Sequence, residues 1–169
     1  MLKFLHENGC PWDEMTCSKA ARKGRLNVLK YLHENGCPWN EWTCRQAAER
    51  GHLDLLKYAH ENGCPWNEET CRSAAEKGYL DVLQYAHEHG CPWDDTTCFE
   101  AATGGHLDVL KYARENGCPL GASCWYWAKK SVREWLKANG CPRDDDEDSD
   151  SDQNNDDYGD DYSDDDDDD

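Results

Sequence analysis

The chain has 169 residues, 36 acidic and 18 basic, with 8 Trp, 8 Tyr, 11 Cys and no Ile. Leu, Val and Phe supply only 20 positions beside a formal charge of −18, a composition that usually excludes a packed core. No apolar run reaches the ~20 residues of a membrane helix, and residues 1–10 carry no apolar stretch or small-residue cleavage site that would mark a secretory signal.

In chain order, residues 1–8 read as a lone second helix, so the array opens on half a unit. That reading points to a gene fragment or an unusual cap. From Gly9 onward Gly-Cys-Pro recurs at Gly36, Gly63, Gly90, Gly117 and Gly140, four intervals of 27 residues and one of 23. The complete copies 9–35, 36–62, 63–89 and 90–116 are identical in thirteen of 27 columns. Self-similarity at a fixed period means stacked units, each burying its apolar face on its neighbours.

Each unit predicts two short helices. In the second copy the first helix covers 41–50, with Asn40 as N-cap and Gly51 as a left-handed stop. Cys44, Ala47 and Ala48 fall on one face, small enough for close helix approach. The second helix covers 54–61, with Asp54 (Asp81 and Asp108 elsewhere) beside the N-terminal dipole. Leu53, Leu56 and Ala59 or His60 face the core, and Pro65 beyond Gly63 stops the helix continuing. No segment alternates with period two, so no strand is expected.

The order Ala47-Ala48, Gly51-His52-Leu53 and Gly63-Cys64, which recurs in the other copies with Arg25, Tyr79 or His106 at the His52 position, resembles the ankyrin repeat family over residues 1 to about 142. The resemblance implies an all-α helix-turn-helix repeat solenoid that binds proteins. Two departures stand out. The usual Thr-Pro-Leu-His start is replaced by Glu69-Thr70-Cys71-Arg72 and its equivalents. The period also falls short of the usual ~33 residues, which implies that the protruding fingers are trimmed to tight turns. A leucine-rich repeat suits the period better, but its Leu-x-x-Leu-x-Leu strand pattern is missing.

The expected organisation is an array over 1–143 and a tail over 144–169. The array comprises the half unit 1–8, four full units, and a degenerate cap at 117–143 bearing Trp125, Tyr126, Trp127 and Trp135. The cap is read as aromatics covering the end of the stack, or as an aromatic patch for a partner. The tail holds 17 acidic residues and no Lys or Arg, leaving 19 acidic and 18 basic in residues 1–143. The acidity therefore belongs to the tail, which is expected to be disordered.

The cysteines follow no zinc spacing: Cys37/Cys44, like Cys10/Cys17, Cys64/Cys71 and Cys91/Cys98, have six residues between them. Equivalent cysteines of successive units are expected ~8–10 Å apart, too far for a disulfide. They are read as small core residues in a reducing compartment, with no metal and no cofactor expected. His6, His33, His60 and His87 form a column near the ends of second helices, replaced by Arg114 in the last full unit. It is read as cations complementing helix dipoles. No nucleophile elbow, phosphate loop or HExxH is present, so an enzyme is not expected.

The reading is a non-catalytic interaction scaffold, monomeric and intracellular, in cytoplasm or nucleus. Its partner is another protein, with no membrane and no direct nucleic-acid contact, since the body is near neutral and the tail repels phosphate. Constant columns hold the fold, and variable ones are free to be read. The variable columns are Met15, Trp42, Glu69 and Thr96; Ser18, Arg45, Arg72 and Phe99; Lys19, Gln46, Ser73 and Glu100; and, at the inter-helix turn, Arg25, His52, Tyr79 and His106. Trp42 and Phe99 are the expected anchors. The alternative is that the tail binds basic proteins such as histones; Ser149 and Ser163, each with an acid three residues on, suit an acidophilic kinase.

Overall fold

A computed structural model describes residues 11–141. The half unit 1–8 and the tail 144–169 lie outside the described residues.

Ten helices and no strand are found among the described residues. In chain order they are α1 (Glu14–Arg22), α2 (Leu26–Glu34), α3 (Glu41–Glu49), α4 (Leu53–Glu61), α5 (Glu68–Lys77), α6 (Leu80–Glu88), α7 (Asp95–Gly104), α8 (Leu107–Glu115), α9 (Ser123–Trp127) and α10 (Lys130–Ala138). Successive pairs α1–α2 through α7–α8 are near copies. Where the fingers were expected to be trimmed, short loops without strands join one pair to the next.

Local chemistry sets each helix end. The side chains of Asp13, Asn40, Asn67 and Asp94 accept hydrogen bonds from first-turn amides, satisfying donors that a helix start leaves orphaned. The second helices lack a side-chain N-cap, and three of them carry the first-turn acids Asp54, Asp81 and Asp108 instead. At their C-termini, Asn35, Asn62, Asn116 and Asn139 each donate through Nδ2 to the carbonyl four residues back at 2.8 Å. His89 takes the same place, its Nδ1 2.8 Å from the Tyr85 carbonyl.

The two kinds of helix form two rows. In the first-helix row, α1, α3, α5, α7 and α9 pack side against side through Cys, Ala and Thr. Such short side chains let the backbones approach closely. The second-helix row supplies the larger apolar groups: Leu29, Leu32, Leu55, Leu56, Leu83, Val82, Val109, Leu110, Val132 and Leu136 are all fully buried. Leu55 widens the face predicted from spacing, while Leu53 is only half-buried. An α-helix packed on both flanks and on its own partner buries more than a narrow stripe.

Candidate functional site

The outer surface of the first-helix row carries the variable columns, and the structure divides them into three groups. At the N-terminal end, Met15 (54% exposed) and Trp42 (48% exposed) are among the exposed large apolar side chains. With Ser18, Lys19, Arg22 and Gln46 they line an open cleft of about 310 Å³ between α1 and α3. That volume sits at the low end of ligand sites, about 300–1,000 Å³. The Arg45 guanidinium lies over the Trp42 ring, 4.8 Å from its centroid, so one flank of the indole is cationic and the other open.

In the middle of the face the charged columns satisfy one another. Arg45 Nη1 is 3.7 Å from Glu69 Oε2, Arg72 Nη1 donates to Glu69 Oε1 at 3.0 Å, and Arg72 Nε donates to Glu100 Oε1 at 3.0 Å. This ladder ties α3, α5 and α7 together. Thr96 is half-buried beside its N-cap, Phe99 is half-buried against the core, and Ser18 and Ser73 are buried.

The inter-helix turn column does something different again. A Cβ built on Gly24 would stand 2.7 Å from the His52 ring; on Gly51, 2.7 Å from Tyr79; on Gly78, 2.4 Å from His106. Each turn ring is therefore seated on the glycine of the preceding unit. His106 is further held by its Nε2, 3.0 Å from the Glu76 carbonyl. These side chains vary in type while sharing one packing job.

Residues 71–114 match the family model for ankyrin repeats in many copies. Over that stretch the chain is similar to ankyrin repeats. No curated protein matches it. Ankyrin repeats are generally protein-interaction modules, which accords with an outer face of variable side chains on a constant frame. Among the described residues no group of three or more His, Cys, Asp or Glu is placed to hold a metal ion. No described helix is long and apolar enough to cross a membrane.

Two features of these repeats escape a reading of spacing. The histidine column stacks: His33 on Trp39, His60 on Trp66 and His87 on Trp93, with centroids 3.8, 3.7 and 3.7 Å apart. A tyrosine of the next unit, Tyr58, Tyr85 or Tyr112, meets each pair edge-on at about 6 Å. Burial and the neighbouring His89 hold His60 below the usual imidazole range, which favours the neutral ring. A neutral ring at His60 cannot act as a cation beside the helix dipole, so the aromatic ladder is the reason the geometry gives for this column. The signal was in the sequence: where Arg114 replaces the histidine, Leu120 replaces the tryptophan six positions on.

The cysteines meet in pairs that neither spacing considered. Cys17 lies against Cys37, Cys44 against Cys64, Cys71 against Cys91 and Cys98 against Cys118, each twenty residues apart in sequence. The later thiol of each pair also donates to a backbone carbonyl of the preceding loop, as Cys64 does to Asn40 at 3.3 Å. All ten described cysteines are buried free thiols. Burial lifts Cys17 well above the ordinary thiol range. At Cys44, Cys71 and Cys98 the contact with the paired thiol is the larger cause, and burial adds to it; Cys124 is pushed up to about 11 by burial. A raised pKa removes thiolate, the reactive species; Cys118 runs the other way, lowered by its contact with Cys98, and owes its protection to burial. In a Cys10→Ser background at pH 8, these thiols should react with a disulfide reagent at least ~10-fold more slowly when folded than in guanidinium. Several thiols reacting at the free rate in the native protein would refute the buried assignment.

Proposed function

We infer that the chain is a non-catalytic, intracellular protein-interaction scaffold that holds a partner segment in the cleft between α1 and α3. Met15 and Trp42 are the anchors, and the cation Lys19 in the cleft lining favours a segment with an acidic residue beside an apolar one. The observation that carries this reading is the half-exposed Trp42 beside an open cleft, on a face whose other charges are already paired. Met15 and Trp42 expose their apolar surface to the same cleft, and aromatics dominate the energetics of protein interfaces. Glu69, Arg72, Thr96 and Phe99 become the frame of that face. His52, Tyr79 and His106 contribute only their outward edges.

The test is quantitative affinity capture with the full chain, comparing wild type, Met15→Ala plus Trp42→Ala, and Lys57→Ala on the exposed second-helix side. The double variant should reduce capture of the specific partner about 10-fold or more, since hot-spot truncations cost ≥ ~2 kcal/mol. Lys57→Ala should leave it unchanged. A partner set identical in all three would sink this face. The tail is the second reading, carried by its 17 acids in 26 residues. It predicts capture of basic proteins that persists in the double variant and vanishes in high salt.

A further inference from the structure

The last described unit exposes a surface unlike any interior one. Trp127 is 68% exposed and Tyr126 51% exposed, both on the short α9. On α10, Lys130, Arg133 and Lys137 are all exposed. Their spacing of i, i+3 and i+7 puts them on one helical face, and Lys129 stands exposed just before it. Residues 117–143 carry five cations against the single acid Glu134, a net of +4. The two units before it, 63–89 and 90–116, each hold five acids and two cations, a net of −3.

Six residues beyond Ala138 the acidic segment begins at Asp144. Along the array it meets like charge in residues 63–116 and opposite charge at the end from which it departs. Its length is ample: 26 residues can span up to roughly 85–95 Å, against about 13 Å for the nine residues of α10. Single exposed ion pairs are weak, roughly 0–1 kcal/mol. A short tether, however, holds the segment at an effective concentration on the order of millimolar. Tyr158 and Tyr162 give the same segment two rings to set against exposed aromatics.

We propose that residues 144–169 dock back on the end of the array, covering Trp127, Tyr126 and the Lys130–Arg133–Lys137 row. Residues 9–35 are also cationic, with five cations against three acids, so charge favours both ends of the array; the short connection from Ala138 selects the near one and makes the contact intramolecular. The consequence is a stack whose exposed end is shielded by its own tail, and which a strongly basic partner opens by drawing the tail away. This inference is independent of the Met15–Trp42 cleft, which lies at the other end of the described array.

The test uses full-length protein in three forms: wild type, a chain with every Asp and Glu of 144–169 replaced by Asn or Gln, and Lys130→Glu plus Arg133→Glu plus Lys137→Glu. All substituted array residues are exposed, and circular dichroism checks that the helices persist. At low salt, amides of 123–138 should exchange about five-fold more slowly in wild type than in either variant, with the gap closing near ~0.5 M salt. With 5-fluorotryptophan, the Trp127 resonance, assigned by Trp127→Phe, should move on tail neutralisation while those of Trp12 and Trp39 stay put. Equal protection in wild type and the neutral-tail chain would overturn the proposal. So would protection that moves to residues 14–50, or that rises with protein concentration and thereby marks a contact between copies.

Discussion

Leu83→Ala is expected to cost about 4 kcal/mol of folding stability, in the upper half of the range for a fully buried leucine. Leu83 is 0% exposed in α6, which packs on α5 and on both neighbouring second helices, α4 and α8. With helices on every side, the site cannot collapse to fill the cavity. Against a total of about 5–15 kcal/mol for a domain, the loss should lower the guanidinium midpoint by roughly 1 M. Leu136→Ala removes the same atoms from a side chain equally buried, in α10. There the outcome should differ, because a repeat stack couples only nearest neighbours. Losing Leu136 should detach the last unit and leave the main transition where it was, with faster hydrogen exchange confined to residues 123–138. Equal shifts of one main transition by both variants would mean that the array folds as a single cooperative block.

The period of 27 made the helix pairs legible because every copy repeats the same caps, the same small-residue face and the same glycine stop. Asn40 and Gly51 behave as their chemistry dictates, and the first-helix face of Cys44, Ala47 and Ala48 is buried as the spacing implies. The second-helix start, one residue earlier at Leu53, reflects the missing side-chain cap, which leaves that boundary without a sequence mark. What spacing did not reveal lies between units. Contacts such as Cys44 with Cys64, or Tyr79 over Gly51, depend on how one unit is laid on the next, and no single-unit periodicity encodes that offset. The candidate face was legible as a set of variable columns. Its division into an open cleft, a closed ion-pair ladder and a packing column was not. Variation shows tolerance of side-chain identity, and a ring that packs on a neighbour's glycine can tolerate His, Tyr or His in turn.

That last distinction yields the second large effect. Gly78→Ala should cost about 3 kcal/mol, whereas Gly90→Ala should cost only about 1 kcal/mol. Both glycines sit in the left-handed region, at φ +78° and +82°, so an alanine brings similar backbone strain to each. They differ in what a Cβ would meet. At Gly90 nothing lies within 4 Å; at Gly78 the His106 ring is in the way, with Nδ1 at 2.4 Å and Cγ at 2.8 Å. The ring cannot yield freely, because its Nε2 is held at the Glu76 carbonyl. It must leave that hydrogen bond and its seat on the preceding unit together, a further loss of about 1–2 kcal/mol. A double-mutant cycle isolates the term: in a His106→Ala background, Gly78→Ala should fall to the cost of Gly90→Ala. If the two glycines cost the same in the wild-type background, the turn rings do not bind unit to unit. The column of His52, Tyr79 and His106 then returns to the partner-facing surface.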